Sequence, residues 1–186
     1  MYDLGPGVLI ASSVYKNNYY KYGPSFAADG SRSRSYSFQS RRQKDPWIQW
    51  HLYTPKVITG IKIYTRRDSD DSTNPRVELR NVTIRAGNFS IDSKFKGEIT
   101  KNTLCGVFEG PGEIDEHYIV NCTKGIMARY VTVQMLGNYT ALQINEIDVI
   151  KEPHAMKGTG INERNNFRMT YTKLMYFDIS TEIELK

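Results

Sequence analysis

Arg80-Asn81-Val82-Thr83-Ile84-Arg85-Ala86 and Arg129-Tyr130-Val131-Thr132-Val133-Gln134-Met135 set the reading of the whole chain. In the first, Val82, Ile84 and Ala86 alternate with polar neighbours; in the second, Val131, Val133 and Met135 do the same. Successive side chains of a strand point to opposite faces, so this alternation describes strands with one face buried. Working outward, Trp47 to Leu52 and Val57 to Tyr64 read as strands parted by a turn at Pro55, and Glu116 to Val120 as another. The last strand, Leu142 to Ile150, breaks phase. Leu142 and Ile144 share a face, whereas Ile147 and Val149 share it only if one residue is skipped. A bulge at Asn145-Glu146 accounts for the slip and would re-aim a carboxylate. Burial of both faces there accounts for it equally well. Helical spacing with caps is hard to find anywhere. Several strands with turn-rich connections imply an all-β antiparallel sandwich or jelly roll.

The chain has 186 residues, which suits one domain with an extension at an end. The domain is expected over residues 1–150. Beyond it, Pro153, Gly158, Gly160, Asn165 and Asn166 suggest a linker, and Arg168 to Leu185 has strand-like stretches, so 151–186 reads as a C-terminal extension. Apolar residues make up 39% of the chain, with 13 Tyr and 7 Phe adding bulk to a core. No run of about 18 apolar residues is present, so no transmembrane helix is expected. Met1 to Ile10 lacks the basic and apolar regions of a secretion signal. Cys105 and Cys122 are free or paired on this reading. Four N-glycosylation sequons begin at Asn81, Asn88, Asn121 and Asn138, and they lean towards an extracellular setting.

Signs of catalysis are missing. His51, His117 and His154 are scattered without metal-ligand neighbours, and no nucleophile elbow, phosphate loop or zinc-protease motif occurs. A non-enzymatic binding module is expected. The net charge of +5 favours acidic partners without choosing among them. Arg32, Arg34, Arg41, Arg42 and Lys44 form one basic group, and Arg66, Arg67 and Arg76 form a second around Asp68. Guanidinium forks donate to sugar oxygens and more strongly to sulfate or phosphate, while Asp68 is placed to hold an arginine in one geometry. A solvated charged loop is the plainer account of both groups. The basic residues do not interleave with stacking aromatics in a known RNA-binding motif, so nucleic acid is not expected as a partner.

Several segments together resemble the fucolectin (F-type lectin) family, within the discoidin-like galactose-binding superfold. They are Ala27-Ala28-Asp29-Gly30, Asp45-Pro46-Trp47-Ile48-Gln49, Ile61 to Asp68 with its Arg66-Arg67-Asp68 ending, Val82 to Gly87, Ala128 to Val133 and Leu142 to Val149. The resemblance runs over about residues 8–150. It implies a secreted or cell-surface lectin that binds glycans or glycoproteins, meets membranes only through glycoconjugates and forms a possible homo-oligomer. Arg66 and Arg76 match the family's sugar-binding arginines, Asp68 its motif acid, and Gln39 the position of its site histidine. The family's adjacent cysteines are replaced by Ser69, Asp70, Asp71 and Ser72, which implies fucose-type or altered glycan specificity. The resemblance also implies a structural calcium held by the side chains of Asp29 and Glu146 and by carbonyls near Phe26, Ser31, Ser37 and Asn145. Without the resemblance, Asp29 reads as the cap of a turn. Cys105 and Cys122 match a family disulfide. Two other readings share the fold: a discoidin-like adhesion module for protein or anionic lipid, and an accessory carbohydrate-binding module of a larger protein.

Overall fold

The structure, a computed structural model, describes residues 7–67, 79–91 and 98–151. All of them belong to the unit Met1–Pro153. Asp68, Arg76, the segment between them and most of the proposed extension, from residue 152 onward, lie outside the described residues.

Among the described residues there are eight strands: β1 (Gly7–Ala11), β2 (Phe38–Gln39), β3 (Trp47–Tyr64), β4 (Val82–Gly87), β5 (Thr103–Phe108), β6 (His117–Met135), β7 (Gln143–Ile144) and β8 (Glu146–Lys151). Every pairing is antiparallel. The main sheet runs β1-β3-β6-β4-β5, with β8 also on β3, and β2 pairs with β7 separately. Among the described residues helix is confined to one α-helical turn, α1 (Tyr19–Tyr22), and three short 3-10 segments. β1 and β5 went unread in the sequence, because neither alternates cleanly with a polar face.

The two strands expected on either side of Pro55 are one continuous strand, β3, and those expected at 116–120 and 129–135 are one strand, β6. Pro55 bends the chain without ending it. Tyr53, Thr54 and Pro55 are exposed, and the β3–β6 register shifts between His51 and Lys56. Proline has no N–H for a ladder, so it is tolerated where pairing lapses. The 18 residues of β3 would span about 59 Å if straight, whereas a domain of this size is roughly 38 Å across. The β3–β6 ribbon must therefore fold over on itself. Its one half carries β1 and β4; its other half carries β8. Ile48, Leu52 and Val133 from the first half and Ile58, Ile61 and Ile63 from the second join a single buried cluster, which makes the ribbon a β-sandwich.

The alternation in β4 and β6 is realised: Val82, Ile84, Ala86, Val131, Val133 and Met135 are all buried in that core. Burying one such side chain contributes about 1.5–3 kcal/mol. Cys105 on β5 and Cys122 on β6 are joined in a disulfide. Gln49 is fully buried among apolar neighbours and is satisfied: its amide donates to Thr132 Oγ1 (2.9 Å) and its carbonyl accepts from the Ile91 N–H (2.8 Å).

The phase slip at the end of the domain is a change of sheet. Ile144 in β7 pairs with Phe38 in β2, whereas Glu146 in β8 pairs with Tyr64 in β3. Asn145 is the pivot between them, and its N–H donates to the Tyr64 carbonyl (2.9 Å). Leu142 to Ile147 are all buried, so the irregularity at Asn145-Glu146 and burial of both faces hold together.

Candidate functional site

The segment Gln143–Glu146 collects three polar features on one end of the domain. The first is acidic. Glu146 is 6% exposed, and its Oε1 accepts from the Gly30 N–H (3.3 Å). Its Oε2 is buried with no hydrogen-bond partner, and so is Asn145 Oδ1. Burial pushes the Glu146 carboxyl up to about 8; the Gly30 N–H opposes this, and the charges of Asp29 and Asp148, with a hydrogen bond to Asp29, add to it. Asp29 Oδ1 accepts from the Ser31 N–H (2.8 Å), closing the turn expected of a capping aspartate. That turn is what carries Asp29 to Glu146 across more than a hundred residues of chain. Asn145 Nδ2 donates to the Ser33 carbonyl (2.7 Å) and pins the same loop from the other side. Ser37 is buried and its N–H donates to the Lys21 carbonyl; Phe26 stacks on Tyr36 (5.3 Å). Neither of those contacts links Ser37 or Phe26 to the two acids. Among the described residues no group of three or more His, Cys, Asp or Glu side chains converges.

The second feature is the segment that follows β3. Thr65 is buried; its hydroxyl donates to the Glu113 carbonyl (2.6 Å) and accepts from the Glu116 N–H (3.0 Å). The Arg66 carbonyl accepts from the Asp115 N–H (2.9 Å), so the half-buried Arg66 leaves β3 on a clamped backbone. Asp115 Oδ1 pairs with Arg32 (2.8 Å) and Arg67 (3.0 Å), Arg67 also donates to the Arg32 carbonyl (3.0 Å), and the Arg32 guanidinium lies over the Tyr64 ring (4.7 Å). Among the described residues the carboxylate that holds Arg32 and Arg67 is thus Asp115. Nothing local in the sequence marked it, because it sits 83 residues from Arg32.

The third feature is a cavity of about 400 Å³ lined by Tyr15, Lys16, Gln39, Ser40, Arg41, Arg42, Tyr139 and Ala141. Gln39, 4% exposed, reaches it from β2, where it pairs with Gln143. Arg66 is not among the lining residues. The Gln39 partner and the Tyr64 partner, Gln143 and Glu146, are three residues apart on either side of the Asn145 pivot, so the topology brings Gln39 and the start of the Arg66 segment to the two sides of one passage between sheets.

The fold is a discoidin-like β-sandwich, and its polar loops gather where β3 ends and β7 passes into β8. The chain belongs to the F5/8 type C domain family, whose profile matches residues 9–148. Among solved structures it is similar to a fucolectin from striped bass (Morone saxatilis) serum, at 24% identity and a TM-score of 0.63, over 78% of this chain and 46% of that one. This chain therefore spans about half the length of the bass protein. It is similar also to the lectin domain of lectinolysin in complex with Lewis B antigen (20% identity, TM-score 0.62, 82% of this chain and 98% of that one). A family 32 carbohydrate-binding module from Clostridium perfringens NanJ, in complex with galactose, matches at 15% identity and a TM-score of 0.57, over 77% of this chain and 92% of that one. No functionally curated protein sequence matches the chain. No helix among the described residues is long and apolar enough to cross a membrane.

Proposed function

We propose that this domain is a lectin of extracellular type that binds glycans through Gln39, Arg66, Asp68 and Arg76. The observation that carries the reading is the convergence of Gln39 and the Arg66 segment on Gln143–Glu146, since these two positions are distant in the chain. An arginine on a clamped backbone loses little freedom when it donates to a sugar oxygen, and preorganisation of this kind favours binding. Structural neighbours whose complexes contain Lewis B antigen or galactose support a glycan as the ligand class, of fucose type or altered. All four sequon asparagines, Asn81, Asn88, Asn121 and Asn138, are exposed, which supports an extracellular setting.

A structural calcium belongs to the same proposal. Calcium takes six to eight oxygens, commonly carboxylates and carbonyls. Asp29 and Glu146 supply the carboxylates here, with carbonyls near Phe26, Ser31, Ser37 and Asn145. Two buried oxygens without donors, Glu146 Oε2 and Asn145 Oδ1, fit a cation that would satisfy them. The ion would neutralise the acids and tie the Asp29 loop to β8; it takes no part in sugar contact.

The test is a glycan array read with the native chain and with Arg66→Ala. The native chain is expected to bind a defined subset, and Arg66→Ala to weaken that subset roughly 10- to 100-fold, the cost of losing a hydrogen bond from a charged donor. An array blank for fucosylated and all other glycans refutes the reading.

A further inference from the structure

The cavity beside Gln39 holds more positive charge than a neutral sugar needs. Lys16, Arg41 and Arg42 line it, and no carboxylate does. None of the three forms an ion pair with a carboxylate among the described residues. Three like charges around one concavity repel one another, and the concavity concentrates their field. The walls are nevertheless built. Arg41 donates from its guanidinium to Asn17 Oδ1, and its backbone N–H donates to Ser13 Oγ, which in turn donates to Gln43. Gln43 and Thr140 exchange backbone hydrogen bonds (2.8 and 3.0 Å), which fastens the Tyr139 wall to the Arg41–Arg42 wall. Ser40 Oγ accepts from the Leu142 N–H (2.9 Å). Lys16 and Asn17 both hold left-handed backbone, with φ of 51° and 55°. Neither is glycine, and two such residues in succession persist only where surrounding contacts impose them.

We propose that this cavity is an anion subsite and that the ligand is an acidic saccharide, with a sulfate or carboxylate group seated between Lys16, Arg41 and Arg42. The inference rests on the glycan reading above and names its substrate class. Guanidinium forks match the oxygens of sulfate and carboxylate in pairs. Gln39 supplies a neutral amide donor and acceptor for hydroxyls, and the 70%-exposed Tyr139 supplies a ring face for the apolar side of a sugar, while Ser40, fully buried, holds the wall by donating to the Arg41 carbonyl and Lys16 packs over the Tyr15 ring. The volume falls within the range of small-molecule sites. A concave pocket with polar walls suits a compact charged group better than a membrane surface, which meets projecting apolar loops.

The experiment measures affinity of the full chain for matched glycans that are neutral, sulfated or sialylated on the same core. It uses the native chain, Arg41→Gln/Arg42→Gln, Arg41→Lys/Arg42→Lys and Arg66→Ala. The native chain is expected to prefer the acidic forms at least about tenfold, a preference that shrinks as salt rises. Arg41→Gln/Arg42→Gln abolishes the preference, the lysine pair keeps part of it, and Arg66→Ala weakens neutral and acidic forms alike while leaving it in place. Equal binding of neutral and acidic glycans overturns this inference alone, and so does a preference that survives Arg41→Gln/Arg42→Gln. Binding of no glycan of any charge overturns the lectin reading beneath it. Equally tight binding of a DNA duplex or of anionic phosphatidylserine vesicles, lost with Arg41→Gln/Arg42→Gln, overturns the saccharide assignment in favour of that polyanion.

Discussion

Glu146→Gln separates the hydrogen bond made by this residue from its charge. Glutamine keeps an oxygen for the Gly30 N–H, now 3.3 Å from Oε1, and removes the ionisable group. In the metal-free protein burial raises the carboxyl to about 8, so at pH 7 the protonated, neutral form predominates. The amide therefore imitates the resident state, and metal-free stability at pH 7 should change by less than about 1 kcal/mol. With calcium the two proteins part. A ligand at 100 times its dissociation constant stabilises the native state by about 2.7 kcal/mol. For a unit of this size that raises Tm by roughly 5–10 °C. The native chain should show this rise and Glu146→Gln should not. Binding must also expel the proton where the carboxyl holds one, so the number of protons released per ion should be larger at pH 7 than at pH 9. Calorimetry in buffers of different ionisation enthalpy reads that number directly. The pH dependence has a defined sign. The folded carboxyl keeps its proton between the ordinary value of 4.5 and about 8, where the unfolded chain has released it. Metal-free stability due to this group thus falls as pH rises through that window, and Glu146→Gln removes the slope. Equal calcium shifts in both proteins, or no shift in the native chain at millimolar calcium, would refute the assignment of Glu146 to a cation.

Three further outcomes follow from the packing. Reduction of the Cys105–Cys122 bridge, or its replacement by two serines, opens a loop of sequence separation 17 and should cost about 3 kcal/mol in urea unfolding. Asp115→Asn removes the charge shared by Arg32 and Arg67; the paired side chains are one-third to two-fifths exposed, so urea unfolding should show stability falling by about 1 kcal/mol or less, and by less at high salt than at low salt. Gln49→Leu keeps the volume of a fully buried side chain but leaves the Ile91 N–H and Thr132 hydroxyl without their partner, and a loss of about 2–4 kcal/mol is expected, with faster amide exchange at Ile91.

Alternation along the chain made the sandwich legible before any coordinates. Val82, Ile84 and Ala86, and Val131, Val133 and Met135, are core residues because a period of two leaves a strand only one face to bury. The slip after Ile144 was legible as well, since a skipped residue must turn the backbone, and it became the passage from β7 into β8. The division of β3 at Pro55 was misread: proline signals the loss of a ladder bond, and whether the chain then turns or runs on depends on what the neighbouring strand does.

What the residues settled alone is what local chemistry can settle: strand period and turn formation at Asp29-Gly30. Which carboxylate meets which arginine was decided only when the ribbon folded. Asp115 reached Arg32 and Arg67, Asp29 reached Glu146, and Tyr15 and Tyr139 closed around Gln39 through contacts between segments far apart in the chain. Side-chain polarity is carried by each residue, but proximity is a property of the register between strands, and no short stretch of chain contains it.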